Sequence, residues 1–229
     1  MIVGTEPGNS VCKNPFIQKY HRAIFYTAWL LLALIQSRYT ELLDDEAYYW
    51  VYSHFLDWGY FDHPPMIALL IRLGYGVLHN ELGVRLLPLL MNLFSLVIIE
   101  KLIVKKNPFL FYAICLSLAV LQISGFVAVP DTPLIFFTAI FFWFYKKFIS
   151  NFSIAYAFLL GIGTALLLYS KYHGVLIILF TLLSNIKLFT KYQTYIAGVV
   201  ALLLFTPHLW WQCQHDWVSF RYQLFENKV

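Results

Sequence analysis

The sequence predicts an all-α polytopic membrane protein with about seven transmembrane helices and a long first extracytoplasmic loop. Three observations lead there. Of the 229 residues, 60% are hydrophobic and only 12% are charged, whereas soluble domains carry roughly 25% charged residues. Apolar runs recur along the whole chain at about the 20 residues a helix needs to cross the hydrocarbon core. One segment, Arg38 to Leu82, breaks that rhythm with acids and aromatic residues.

The first run, Phe16–Gln36, follows the basic residues Lys13, Lys19 and Arg22. No small-x-small cleavage site comes after it, so an uncleaved first span is expected rather than a signal peptide. Further spans are expected at Gly83–Val104, Pro108–Val129, Thr132–Phe148, Phe152–Ser170, Gly174–Lys187 and Gln193–Trp211. Pro65–His79 is apolar but short and carries Arg72 in its middle, which suits a helix lying in the interface plane. Gly161 and Gly163 form a small-residue patch suited to helix packing. Pro88, Pro133 and Pro207 read as helix-end or kink positions.

Charge placement supports this arrangement. With the N-terminus cytoplasmic, Lys13, Lys19, Arg22, Lys101, Lys105, Lys106, Lys146, Lys147, Lys187 and Lys191 fall inside. Arg38, Arg72, Arg85, Lys171, Arg221 and Lys228 fall outside, a split of ten to six in the direction of the positive-inside rule. A crossing at Pro65–His79 would move Lys101, Lys105 and Lys106 outside and break the pattern. Of the twelve acids, only Glu6 and Glu100 fall inside. Acids contribute little to topology, so their gathering on the outer face is separate information and directs the search for chemistry there. The scattered basic residues argue against a nucleic-acid partner. Cys12, Cys115 and Cys213 have no metal-ligand spacing.

Two spans look short. Asp131 lies 15 residues before Lys146, and Lys171 lies 16 before Lys187. At 1.5 Å per residue each stretch covers roughly 23 Å of a core about 30 Å thick. Asp131 and Lys171 are then expected below the outer surface, where charges face an aqueous cavity or pair with each other. A structural Asp131–Lys171 pair is the plainer alternative.

The outer loop holds "DDEAYYW", Asp44 to Trp50, and "WGYFDHPPM", Trp58 to Met66. An interfacial aromatic belt would account for its rings. It accounts neither for the acid run nor for Asp62-His63 fixed ahead of Pro64-Pro65. A carboxylate beside aromatic faces suits sugar binding, and it can serve as general base toward a hydroxyl.

These two motifs, with "VRLLPLL", "VPDTPLIFF", "YSKYHGVL" and "HLWWQCQHDWVSF", occur in an order and at a spacing that resemble one family. It is the membrane-embedded GT-C glycosyltransferases of the dolichyl-phosphate-mannose protein mannosyltransferase type, which includes the aminoarabinose transferases of bacteria. The resemblance runs from about Tyr20 to Phe220. It implies a polyprenyl-phosphate sugar donor, a lipid, glycan or protein acceptor, and inverting transfer at the periplasmic face of a bacterial inner membrane.

By the same resemblance, Asp45 is the catalytic base with Glu46 beside it. The resemblance also places Asp62 and His63 near the lipid phosphate. By position, Lys171, with Arg85 and Tyr60, is expected to share in binding the donor, and Asp131, Tyr172 and His173 are expected to line the cavity. No cofactor is required. The alternative is a divalent metal on Asp62, His54 and His173, with His215 as a further candidate; an outer-face histidine serves more simply as an interfacial hydrogen-bonding group. His215-Asp216-Trp217 is expected to cap the cavity.

The chain reads as a single membrane-embedded domain over residues 1–229: first span 16–36, outer loop 38–82, six spans in 83–211 and an outer tail at 212–229. Family members are longer, so it is expected to correspond to an N-terminal half. A secondary transporter or lipid flippase, and an inactive fragment that only binds lipid-linked sugar, are the competing functions.

Overall fold

A computed structural model of the protein describes residues 15–104, 107–118, 122 and 125–226. Glu6, Cys12, Lys13, Lys105, Lys106 and Lys228 lie outside the described residues. Among those described, every regular element is helical. In chain order these are α1 (Pro15–Tyr39), α2 (Asp44–His54), α3 (Met66–Val77), α4 (Glu81–Leu102) and α5 (Pro108–Ser117). Then come α6 (Asp131–Asn151), α7 (Ile154–Ser170), α8 (Gly174–Ser184), a 3₁₀ turn (Ile186–Thr190), α9 (Tyr192–Gln214), the short α10 (Val218–Arg221) and a π-helical turn (Tyr222–Glu226).

Local chemistry sets most boundaries. Asn80, Asn107 and Ser153 cap α4, α5 and α7, each side-chain oxygen accepting a backbone N–H three residues on. Phe152 closes α6 in the left-handed conformation, φ 48°. The helices α4, α6 and α9 are long and apolar enough to cross a membrane, and α3, α5, α7 and α8 are shorter apolar helices. With 12 residues, α3 reaches about 18 Å, short of a bilayer core of about 30 Å. It packs instead along α2 and α4, with Arg72 exposed.

Two expected spans differ in their course. The helix expected over Pro108–Val129 stops at Ser117. Residues 127–129 are irregular chain, and the Ala128 N–H donates to the Glu46 carboxylate at 2.8 Å. A backbone donor held by a side chain is lost to a helix. The span expected over Gly174–Lys187 ends at Ser184. Asn185 follows it, and its side-chain amide donates to the Tyr145 hydroxyl at 3.2 Å.

Helices α1 and α4 run antiparallel, registered by polar contacts at three levels. Arg22 pairs with Glu100 at 3.0 Å, the Trp29 indole donates to Asn92 at 3.1 Å, and Arg85 donates to the Ser37 carbonyl at 3.2 Å. Apolar surface gives helices little reason to associate in lipid, so such contacts and close packing decide the register. Gly161 shows the close packing: a Cβ there would lie 2.7 Å from the Ala197 carbonyl oxygen on α9. The main core lies among α6, α7 and α9, where Phe137, Phe141, Phe148, Leu160, Leu167 and Phe205 are buried together.

Candidate active site

The ends of several elements converge on one polar cavity. Asp45 and Tyr49 reach it from successive turns of α2, Asp62 and His63 from the loop before α3, and Asp131 from the first turn of α6. Lys171 and His173 enter from the tight connection between α7 and α8, and Tyr222 and Gln223 from the chain after α10. The cavity holds about 400 Å³, within the range of small-ligand sites, about 300–1,000 Å³.

Two close side-chain contacts organise its polar groups. Lys171 Nζ donates to Asp131 Oδ1 at 2.9 Å and Oδ2 at 2.8 Å. His63 Nδ1 lies 2.8 Å from Asp62 Oδ2, and the Tyr48 hydroxyl donates to Asp62 Oδ1 at 3.3 Å. Tyr48 also contacts the Tyr52 hydroxyl. Gln223 Nε2 donates to the Asp62 carbonyl at 2.8 Å, which ties the chain after α10 to the loop. Burial, and after it the charges of Asp62, Asp45 and Asp131, push the Tyr49 phenol well above its usual range. Tyr49 is therefore a proton-bearing hydrogen-bond donor on the wall.

Several residues expected at the site stand elsewhere. Glu46 follows Asp45 on α2, about 100° further round the helix, and has no exposed surface. Its carboxylate takes Arg85 Nε at 2.7 Å and Nη2 at 2.5 Å, with the Ala128 and Leu43 N–H groups at 2.8 and 3.1 Å. Arg85, equally buried, gives its remaining donors to Ser37, Thr40 and Glu41 carbonyls and to the Thr40 hydroxyl. Neither residue is free for substrate. Together they knot α1, α2, α4 and the 127–129 segment, and so fix the helix that presents Asp45.

Tyr60 is also structural. Its one hydroxyl hydrogen is shared between the Tyr52 and Phe55 carbonyls, at 3.2 and 3.0 Å, and its ring stacks on Tyr52 at 4.2 Å. Tyr172 turns away from the cavity, its hydroxyl 3.0 Å from His208 Nε2. His54 bonds back to the Trp50 carbonyl at 2.9 Å and does not line the cavity with Asp62 and His173. Among the described residues, no three His, Cys, Asp or Glu side chains are grouped to hold a metal ion. His215 stacks on Trp211 at 4.0 Å, and the wall expected from His215-Asp216-Trp217 is supplied by Tyr222 and Gln223. Sequence reasoning missed Tyr49, although its position one turn after Asp45 is a usable signal.

The dolichyl-phosphate-mannose-protein mannosyltransferase family model matches residues 62–211. The chain belongs to this family. It is 28% identical over 210 residues to lipid A galacturonosyltransferase RgtD of Rhizobium johnstonii, a match covering 86% of this chain and 44% of that protein. Its fold is similar to that of ArnT from Cupriavidus metallidurans in the apo state, with TM-score 0.70 at 15% identity. That match covers 93% of this chain and 45% of ArnT. The chain thus spans less than half the length of both relatives. The family match begins at Asp62 and takes in His63, Asp131, Lys171 and His173, so most of the cavity lies inside it.

Proposed function

We propose that the chain is a glycosyltransferase that moves a sugar from a polyprenyl-phosphate donor to an acceptor hydroxyl, with inversion, at the outer face of a bacterial inner membrane. The observation that carries this reading is the single cavity shared by Asp45, Asp62, His63, Asp131 and Lys171.

Asp45 is the one carboxylate of its acid run that both lines the cavity and is exposed. It takes the proton from the acceptor hydroxyl as that oxygen attacks the anomeric carbon. The bond from that carbon to the lipid phosphate breaks on the opposite face, and the sugar passes through an oxocarbenium-like transition state. A phosphate leaves without protonation, so no general acid is required. Lys171 meets the negative charge that grows on the departing phosphate. Asp131 holds that ammonium at the cavity until the phosphate competes for it. A ring nitrogen of His63, steadied by Asp62, adds a second donor when the imidazole is protonated.

The test uses membranes carrying the chain and polyprenyl-phosphate sugars with label in the sugar. Transfer requires label to leave the lipid and free polyprenyl phosphate to accumulate. Relocation of intact labelled lipid would mark a transporter or flippase instead. Retention of intact donor on the protein, with no turnover, would mark a binding fragment.

A further inference from the structure

Behind the cavity wall lies a second set of polar side chains that the transfer chemistry does not use. His208 and Gln212 sit one turn apart on α9, and neither has exposed surface. Such groups inside a membrane bundle are costly unless they are hydrogen-bonded. Their partners all belong to the segments that build the cavity.

His208 Nδ1 is 2.6 Å from the Trp58 carbonyl oxygen, and its Nε2 is 3.0 Å from the Tyr172 hydroxyl. Gln212 Nε2 donates to the Tyr172 oxygen at 3.0 Å and to Ser219 Oγ at 2.6 Å. The Ser219 hydroxyl in turn donates to the Tyr60 carbonyl. A neutral imidazole satisfies every bond in this network, leaving only its Gln212 Oε1 without a hydrogen-bond partner among the described residues. A carbonyl can only accept, so Nδ1 carries the hydrogen toward Trp58 and Nε2 accepts from Tyr172. The Tyr172 oxygen then takes the Gln212 N–H, and each bond has one donor and one acceptor.

Tyr172 stands between Lys171 and His173, which line the cavity, while Trp58 and Tyr60 lead directly into Asp62-His63. We infer that His208 and Gln212 are positioning residues that lock the Trp58–Tyr60 segment to the Lys171–His173 turn and so set the spacing of Asp62-His63 from Lys171. The inference rests on the glycosyl-transfer reading only for its kinetic readout.

Two substitutions at one position separate positioning from packing. In His208→Asn the amide nitrogen falls near the place of Nδ1 and keeps the bond to Trp58. In His208→Gln the amide reaches the place of Nε2 and keeps only the Tyr172 bond. Hydrogen–deuterium exchange of the full chain in membranes reads residues 58–63 directly. The expected result is exchange within about twofold of the parent for H208N and faster by about tenfold or more for H208Q. With polyprenyl-phosphate sugar as donor, kcat should fall about 10- to 100-fold for H208Q, with a smaller change in KM, and be largely rescued in H208N.

Equal exchange in the two variants, or faster exchange in H208N, would overturn the inference, because packing alone favours the larger glutamine at this buried position. Ser219→Ala removes a single hydroxyl and tests the Gln212 arm. Faster exchange at residues 58–63 is expected, and unchanged exchange would overturn that arm. If neither 208 variant accumulates, Tyr172→Phe removes the hydroxyl shared by His208 and Gln212, and unchanged exchange at residues 58–63 would then overturn the inference. If the parent transfers no sugar from any polyprenyl-phosphate donor, the proposed function fails while the exchange measurement still decides the positioning role.

Discussion

Asp131 grips Lys171 with both carboxylate oxygens, at 2.9 and 2.8 Å, across the gap between the start of α6 and the end of α7. The pair lines the cavity, with 21% of the lysine side chain and 51% of the aspartate side chain exposed. It is thus wet enough to open and close enough to hold an ammonium ready for an anion.

Lys171→Met should therefore weaken both donor binding and transfer. Loss of one donor to a developing oxyanion costs about 10²- to 10³-fold in kcat, and a fall of that order is expected. Folding should change little, because exposed pairs contribute about 0–1 kcal/mol. Transfer assays beside thermal unfolding of the same detergent-solubilised preparation check both statements. A variant with unchanged transfer would remove Lys171 from the chemistry.

Asp45→Asn should lower transfer by about 10²- to 10⁴-fold, the usual contribution of a general base. Donor binding should survive, since in the proposed mechanism the acceptor and not the donor meets this carboxylate. Binding of undecaprenyl phosphate to the variant, measured by native mass spectrometry, separates the two effects. Near-parental turnover would exclude Asp45 as the base.

Arg85→Met should be the most damaging substitution for the fold. It leaves the Glu46 carboxylate buried without its partner, at a cost of about 3–5 kcal/mol. Adding Glu46→Gln removes the orphaned charge and should recover part of that loss. Yield and unfolding temperature of the single and double variants give the comparison. A single variant as stable as the parent would contradict the buried knot.

Burial pushes the Tyr49 phenol upward, and its neighbouring carboxylates add to the shift. Burial also raises Tyr172. In the unfolded chain these phenols ionise near pH 10, so above that pH the folded state holds more protons than the unfolded state. Their contribution is then complete below about pH 10 and lost as pH rises toward the folded values. Helical circular dichroism followed from pH 9 upward should show stability falling beyond pH 10. In Tyr49→Phe the fall should still begin near pH 10 but be shallower, because one of the raised phenols is gone while Tyr172 remains.

Parts of the site were legible because the signal was local or one-dimensional. The short stretches from Asp131 to Lys146 and from Lys171 to Lys187 place two opposite charges at a similar depth, and the structure pairs them. Neighbouring acids were not separable in this way. Asp45 and Glu46 adjoin in sequence but leave α2 in different directions, one toward the cavity and one toward Arg85. Arg85 looked available for a phosphate because its acceptors come from Ser37, Thr40, Glu41 and Glu46. No local pattern marks such distant partners.

By itself the sequence determined that this chain is a helical membrane protein with its carboxylates gathered toward one end. Hydropathy and charge are properties of each residue and its near neighbours. Only the tertiary structure decided which of those charges face the cavity and which are spent in the Glu46–Arg85 knot or backed by His208 and Gln212. Hydrogen-bond partners more than a hundred residues apart, as His208 is from Trp58, become neighbours only when the helices pack.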